Sequence, residues 1–307
     1  MSTFQEILKK EESQKALLAQ LKVAWETTAD DKKSEMLHAK DNWAFRWACV
    51  NGHLDTAQWL WAICPQGEQL AMLHARDDYA FRYGCENGHL KLAKWLWGLC
   101  QSPEEQSAML HAKDDYAFKW ACERHHLEIV KWLWTICLEE EQSGMLHADD
   151  DTAFCRACED DHIELAEWLW KVCPNEEQSA MLHIYDDYAF QLACEFGNLE
   201  RAQRLWTICP DEEQKAMLHA KDNHAFCLAC QEGHLEVVQW LWAICSEQER
   251  SVMLHANDDD AFLSACDDSH LETAKWLWSQ CKTPEEQSAM LHAKDEWAFR
   301  WACELGH

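Results

Sequence analysis

The sequence predicts an all-α repeat solenoid with about three helices per 36-residue unit, and three observations carry that prediction. First, the tripeptide Met-Leu-His begins at Met36, Met72, Met109, Met145, Met181, Met217, Met253 and Met290, a step of 36 or 37 residues throughout. A fixed period of this length marks stacked units, each too small to bury its apolar face except against its neighbours. Second, every copy carries apolar residues at helical spacing, such as Ala44, Phe45, Ala48 and Cys49. Third, a Trp-Leu-Trp segment follows that is apolar on most of its circumference, as suits a helix sandwiched between layers.

Residues 1–35 precede the first full copy and are expected to form a helical cap. Thr3 with Glu6 offers a capping box, and Phe4, Ile7 and Leu8 begin an apolar face. Leu18, Leu21 and Trp25 align with Leu54, Ala57 and Trp61, and the outer face is rich in Lys, Glu and Gln. Residues 36–307 then hold seven full repeats and a truncated eighth.

Within a copy, the first helix is expected to start after a Lys-Asp-Asp type turn, with Asp41 or Asn42, and later Asp114 or Asp115, as its N-cap. The bend Asn51-Gly52-His53 ends it, because Gly tolerates the left-handed conformation that closes a helix. The second helix runs from Leu54 to about Cys64. A third helix of about two turns follows, capped by Ser102 before Pro103, by Thr283 before Pro284, by Ser246 with Glu249 and by Asp211 with Gln214. Its Met-Leu-His is expected to face the stack.

Hydrophobic residues make up 48% of the 307 and include 19 Trp, which predicts a core of unusually large side chains. The formal charge of −28 repels nucleic acid and anionic membrane, so neither is an expected partner. No apolar run approaches the length of a membrane span. Most of the 17 Cys recur at Cys49-like and Cys64-like helix positions, which reads as small core residues kept as thiols in a reducing cytoplasm.

The run from Ala44 to Trp61, and its partners such as Ala225 to Trp242, resembles the two-helix half of ankyrin repeats: a small-residue pair, an Asn-Gly-His bend and a Leu-Glu-Val-Val-Lys-Leu-Leu-like second helix. The likeness covers about half of each copy. The family's Thr-Pro-Leu-His start and its β-hairpin are missing, and the short third helix is expected in the hairpin's place. What the resemblance implies is a right-handed solenoid whose first helices line a concave groove, a non-catalytic role in holding proteins, and a likeness to ankyrin arrays of intracellular bacteria and large DNA viruses that act inside host cells.

The candidate partner-binding residues are those that vary between copies while their surroundings stay fixed. On the first helix they are Trp43, Arg46 and Trp47 in copy one, Tyr79, Arg82 and Tyr83 in copy two, Tyr116, Lys119 and Trp120 in copy three, and Trp297, Arg300 and Trp301 in copy eight. At i, i+3 and i+4 each set shares a face, read as the one opposite Phe45 and Cys49. Copies four to seven lose the pattern, as in Thr152, Cys155 and Arg156. Aromatics interleaved with Arg and Lys on an acidic chain match the residue types of interface hot spots, and a core has no evident need of a guanidinium there. The expected partner is a protein or extended peptide of acidic character. Aromatic cages for methylated Lys or Arg rank lower, because such cages favour acidic residues over Arg and Lys.

Other clusters read as structure. The eight His of Met-Leu-His, one per layer, do not converge on one another, so each is expected to bridge backbone groups between layers, and no metal or other cofactor is expected. Cys155 with Cys158 and Cys227 with Cys230 form isolated CxxC pairs in which Cys155 and Cys227 are read as outward-facing. The triplets Asp149-Asp150-Asp151 and Asp258-Asp259-Asp260 lack the spacing of a calcium loop and read as helix caps. No phosphate loop or nucleophile motif appears, so the segment is not read as an enzyme. The last copy stops at its bend with no covering layer, so a longer protein cut at this point or another surface over this end is expected; the chain is otherwise expected to be a monomer, and the alternative to a scaffold is the targeting arm of a larger effector or enzyme whose catalytic domain lies beyond His307.

Overall fold

The computed structural model describes the backbone of residues 3–8, 13–148, 151–160 and 162–305. Among the described residues there is no strand, and no helix is long and apolar enough to cross a membrane. The chain divides into two compact units, Met1–Ala157 with Glu167–Leu169, and Cys158–Ala166 with Trp170–His307. Each unit is an all-α stack of consecutive copies, as the period predicts.

In the first unit, second helices span Leu54–Ile63, Leu90–Trp97 and Leu127–Ile136. Third helices of eight residues span Gln66–Leu73, Pro103–Leu110 and Glu139–Leu146, the two turns expected, and each buries its Met-Leu pair. Ser102 Oγ accepts from Glu105 N at 3.2 Å, the Glu105 carboxylate accepts from Gln101 N at 2.7 Å, and Pro103 opens the helix, where its missing N–H costs nothing. The second unit repeats the plan with Leu199–Ile208 and Leu235–Ile244 as second helices and Glu247–Leu254 as a third. Ser246 and Glu249 form the expected capping box. Asp211 does not cap as expected: its helix starts only at Gln214, whose side-chain amide reaches Asp211 Oδ1 at 3.5 Å.

A triangle of aromatic rings recurs in the core of several layers. Phe45, fully buried, lies 6.2 Å from Trp61 of its own copy and 6.3 Å from Trp95 of the next, and the two indoles meet edge-on at 85°. Phe81, Trp97 and Trp132 repeat the triangle, as do Phe190, Trp206 and Trp240 in the second unit. Edge-to-face contact suits the ring quadrupoles and adds about 0.5–1.5 kcal/mol per pair to the burial gain. The first Trp of the Trp-Leu-Trp in these copies, Trp95, Trp132 and Trp240, therefore packs on the preceding copy's Phe and second Trp. Copy five puts Arg204 at that position, exposed and paired with Glu200 at 2.9 Å. At the N-terminus Phe4, Trp25 and Trp59 form the same triangle, so Thr3–Leu8 supplies the place of a first helix and Gln14–Thr27 that of a second.

The expected Gly bends are present. Gly52 has φ +68°, and His53 N donates to Ala48 O at 2.8 Å. The absence of a side chain also makes room for the next copy: a Cβ on Gly52 would lie 2.5 Å from the His89 ring, and one on Gly88 2.7 Å from His126.

The link from third to first helix differs from the sequence expectation. Lys40, Asp41 and Asn42 have φ of 52°, 56° and 59°, a full left-handed turn, and the same turn recurs at Arg76–Asp78, Lys113–Asp115, Tyr185–Asp187, Lys221–Asn223 and Asn257–Asp259. Left-handed backbone costs an ordinary residue about 1–2 kcal/mol and is normally visited one residue at a time. Here side chains hold it. The third residue of each turn, Asp or Asn, is bonded by the Met-Leu-His imidazole four residues earlier: His38 Nδ1 to Asn42 at 2.6 Å, His74 to Asp78 at 2.6 Å, His111 to Asp115 at 2.5 Å, His219 to Asn223 at 2.6 Å and His255 to Asp259 at 2.6 Å. These acids are turn residues and not helix caps; Asp259 sits at the N-cap position without making a cap bond. Asp258 and Asp259 of the second acidic triplet belong to the turn, Asp151 of the first is bonded by His147, and Asp149 and Asp150 lie outside the described residues.

Candidate protein-binding face

The left-handed turn decides where the variable residues of the first helix point. Arg46, only 4% exposed, turns back on it, donating from Nε to Asp41 O at 2.8 Å and from Nη2 to Lys40 O at 3.0 Å. Arg82, 6% exposed, does the same to Asp77 O at 2.6 Å and Arg76 O at 3.1 Å. In copy five Gln191 donates to Asp186 O in the same way, and Cys155, Cys227 and Leu263 fill the position as buried side chains. The i+3 site thus faces inward in copies one, two and four to seven, while Lys119 of copy three is half-buried and Arg300 of copy eight is exposed. This corrects the premise that nothing in the stack needs a guanidinium there, and the reading of Cys155 and Cys227 as outward-facing; burial pushes the Cys227 thiol up to about 12.

The aromatic positions are half-buried and form a row in the first unit. Trp43 and Trp47 lie 6.2 Å apart, Tyr79 stacks on Tyr83 at 4.0 Å, Tyr83 meets Tyr116 at 5.3 Å, and Tyr116 meets Trp120 at 5.6 Å. Guanidinium groups join the copies: Arg46 lies 4.8 Å from the Tyr79 ring centre and Arg82 4.7 Å from that of Tyr116. Such cation–π contacts favour Arg, whose flat, weakly hydrated group can cover a ring and still donate sideways to the turn. The Tyr116 hydroxyl donates to Glu86 at 2.7 Å, and burial, with hydrogen bonds to Tyr83 and Glu86, raises its pKa. Burial pulls the Arg46 pKa below its ordinary value.

Beside Tyr116 and Trp120 the row opens into a cleft of about 300 Å³, lined also by Lys113, Lys119, Glu123, Thr152 and Arg156. Lys119 is half-buried, whereas Lys113 and Arg156 keep 57% and 45% of their side chains exposed. Arg156 lies 3.7 Å from Glu123, and Lys113 3.0 Å from Asp77. Exposed pairs of this kind contribute only about 0–1 kcal/mol and can exchange partners. Lys113 and Arg156 were not among the predicted residues. Their signal was a turn Lys of unknown direction and a copy-four residue outside the aromatic pattern. Of the copy-eight set, Arg300 is exposed, while the side chains of Trp297 and Trp301 lie outside the described residues.

The Met-Leu-His imidazoles bridge side chains where backbone partners were expected. In the first unit His111 Nε2 lies 3.0 Å from Glu141 Oε2, and in the second His183 Nε2 lies 2.9 Å from Glu213 Oε2. Burial raises the Asp187 carboxyl on the other side of His183, although the imidazole opposes that shift. Cys137 and Cys209 lie in the same neighbourhoods, pushed up to about 11 and about 12 by burial and, secondarily, by the adjacent Glu.

No known family model and no curated protein matches the sequence. Among solved structures the chain is similar to an ankyrin repeat family protein from Legionella pneumophila, with 20% identity, 78% of this chain and 75% of that chain covered, and a TM-score of 0.32.

Proposed function

We propose that the chain is a non-catalytic protein-binding scaffold that holds an acidic, extended segment of a partner along the first helices of copies one to three. The observation that carries this reading is the cationic end of the aromatic row: Lys113, Lys119 and Arg156 around one cleft with Tyr116 and Trp120, on a chain of net charge −28. Half-exposed aromatic rings give a partner apolar area at little entropic cost, and flanking cations select and orient acidic side chains. The row is stacked in advance, so little ordering remains to be done on binding.

Trp43, Trp47, Tyr79, Tyr83, Tyr116, Lys119 and Trp120 are the contact residues in this reading, with Arg300 as the described member of the copy-eight set. Arg46 and Arg82 act behind them, fixing the tyrosines from below. Substituting those two residues would test folding more than binding.

The experiment is selection of random extended peptides against the full chain. Enriched peptides should carry Asp or Glu beside an apolar anchor, and Lys119→Glu with Arg156→Glu should weaken them by at least tenfold, about 1.4 kcal/mol. Enrichment of basic peptides, or equal binding to the double variant, would overturn the reading.

A further inference from the structure

The histidine of each Met-Leu-His is followed 26 residues later by a Cys in seven copies, and in several of them a Glu stands four residues beyond that Cys. Folding converts the spacing into proximity. In the first unit one donor atom each from His38, Cys64 and Glu68, and from His111, Cys137 and Glu141, lie within 4.8 Å of one another; in the second unit His183, Cys209 and Glu213 do the same. Each donor sits at the end of a helix. His111 closes Pro103–Leu110, Cys137 closes Leu127–Ile136, and Glu141 lies in the first turn of Glu139–Leu146.

We propose that the His111, Cys137, Glu141 and His183, Cys209, Glu213 sets bind Zn²⁺, each through imidazole Nε2, thiolate Sγ and a carboxylate oxygen, with water as fourth ligand. The imidazole is already oriented as a ligand. Its Nδ1 is bonded to Asp115, or to Asp187 in the second set, the carboxylate–histidine arrangement that fixes ring direction and raises basicity at metal centres. In the tautomer whose Nδ1–H donates to that carboxylate, the neutral ring presents its Nε2 lone pair to a second carboxylate at 3.0 or 2.9 Å. Two acceptors that close need a proton or a metal ion between them.

A second proton on the ring would serve, but a proton bridge has no use for sulfur. In these sets the third donor is a thiol, 7% exposed at Cys137 and 3% at Cys209. One nitrogen, one sulfur and one oxygen suit Zn²⁺, and the thiolate and carboxylate together balance its charge. Ligand edges in a tetrahedral zinc site, from bonds of about 2.0–2.3 Å, are about 3.3–3.6 Å, so closing the set requires only side-chain adjustment. The imidazoles keep 26% and 24% of their surface and the carboxylates 35% and 32%, which leaves a way in for water and ion. The thiol proton leaves as the ion enters.

Two copies supply internal contrasts. In copy two Glu105 folds back onto Gln101 N, and His74 Nε2 is buried without a hydrogen-bond partner although Cys100 occupies the thiol position. In the copy of His219 and Cys245, Glu249 is engaged by Ser246 and Lys215 and stays 3.9 Å from His219. His38 is held by the neutral Asn42 instead of an acid, so its set is the weaker ligand group.

The test uses the full chain, reduced and stripped by a chelator, then titrated with Co²⁺ and competed with Zn²⁺. Tetrahedral visible bands and a thiolate-to-cobalt charge-transfer band are expected, both lost as Zn²⁺ displaces cobalt. Cys137→Ser and Cys209→Ser should each remove one site's share of the charge-transfer intensity, and Cys100→Ser should leave it unchanged. Glu141→Gln, a near-isosteric change at a partly exposed position, should weaken one site by at least about tenfold with the far-ultraviolet circular dichroism unchanged. Absence of the charge-transfer band in the wild-type chain would overturn the proposal. So would full intensity in the Cys137→Ser, Cys209→Ser double variant, or unaltered cobalt affinity in Glu141→Gln.

Discussion

Arg82 separates the two roles that its position could have, and Arg82→Ala measures which one it serves. The guanidinium donates to Asp77 O at 2.6 Å and Arg76 O at 3.1 Å, and it covers Tyr116 at 4.7 Å while 6% exposed. Hydrogen bonds involving a charged group contribute about 1.5–3 kcal/mol when buried, but the two carbonyls belong to exposed turn residues that water can reach, so about 1 kcal/mol each is the better figure. The cation–π contact adds about 0.5–1 kcal/mol. Arg82→Ala should therefore cost about 2–3 kcal/mol, or a fall in Tm of about 6–9 °C at about 3 °C per kcal/mol. Thermal and urea unfolding of the full chain, followed by circular dichroism, reads both. Arg82→Gln should recover about half the loss, because Gln191 makes the corresponding bond to Asp186 in its own copy. An Arg82→Ala variant that melts with the wild type, or an Arg82→Gln variant no better than it, would refute the clamp and return Arg82 to the binding face.

Gly88→Ala should lower stability by about 2–3 kcal/mol, since φ of +81° strains any side chain and the new Cβ would lie 2.7 Å from the His126 ring; an unchanged urea midpoint would contradict this. Glu249 is held down to about 2, from an ordinary 4.5, first by its hydrogen bond with Ser246 and then by Lys215. A carboxylate with a lowered folded-state pKa contributes stability that is complete above its unfolded value and lost as pH falls through the folded one. The Tm gap between wild type and Glu249→Ala should accordingly be full above pH 4.5 and close toward pH 2; a constant gap would show that the charge plays no part.

The period, the two-turn third helix, the Gly bends and the buried Phe were legible because each rests on local spacing or on a residue with one conformational role. The left-handed turn was not. Lys-Asp-Asp before an apolar stripe has the chemistry of an N-cap, and Asp tolerates left-handed backbone too, so the local sequence leaves both open. What decides is His111 reaching forward four residues to Asp115, and Arg82 reaching back five and six to Asp77 and Arg76. The binding face was half legible for the same reason. Helical spacing put Tyr79, Arg82 and Tyr83 on one side of the helix, but only the turn shows that the middle residue faces inward. Lys113 and Arg156 reach their cleft through copy-to-copy packing that no single copy's sequence contains.

The two 37-residue steps acquire a mechanical meaning from the capping glutamates. In the 36-residue steps from His111 to Glu141 and from His183 to Glu213, the acid reaches across to the preceding copy's imidazole and ties consecutive layers, whereas in the step from His219, also 36, Glu249 bonds Ser246 N and caps its own helix. Where one residue is added, Glu105 and Glu286 instead close their own helices, bonding Gln101 N and Lys282 N. Each insertion exchanges a tie between layers for a firmer helix start. Since a stack of repeats is only as cooperative as its neighbour couplings, each of those steps has one coupling fewer than the steps at His111 and His183, and local opening on heating is expected there sooner.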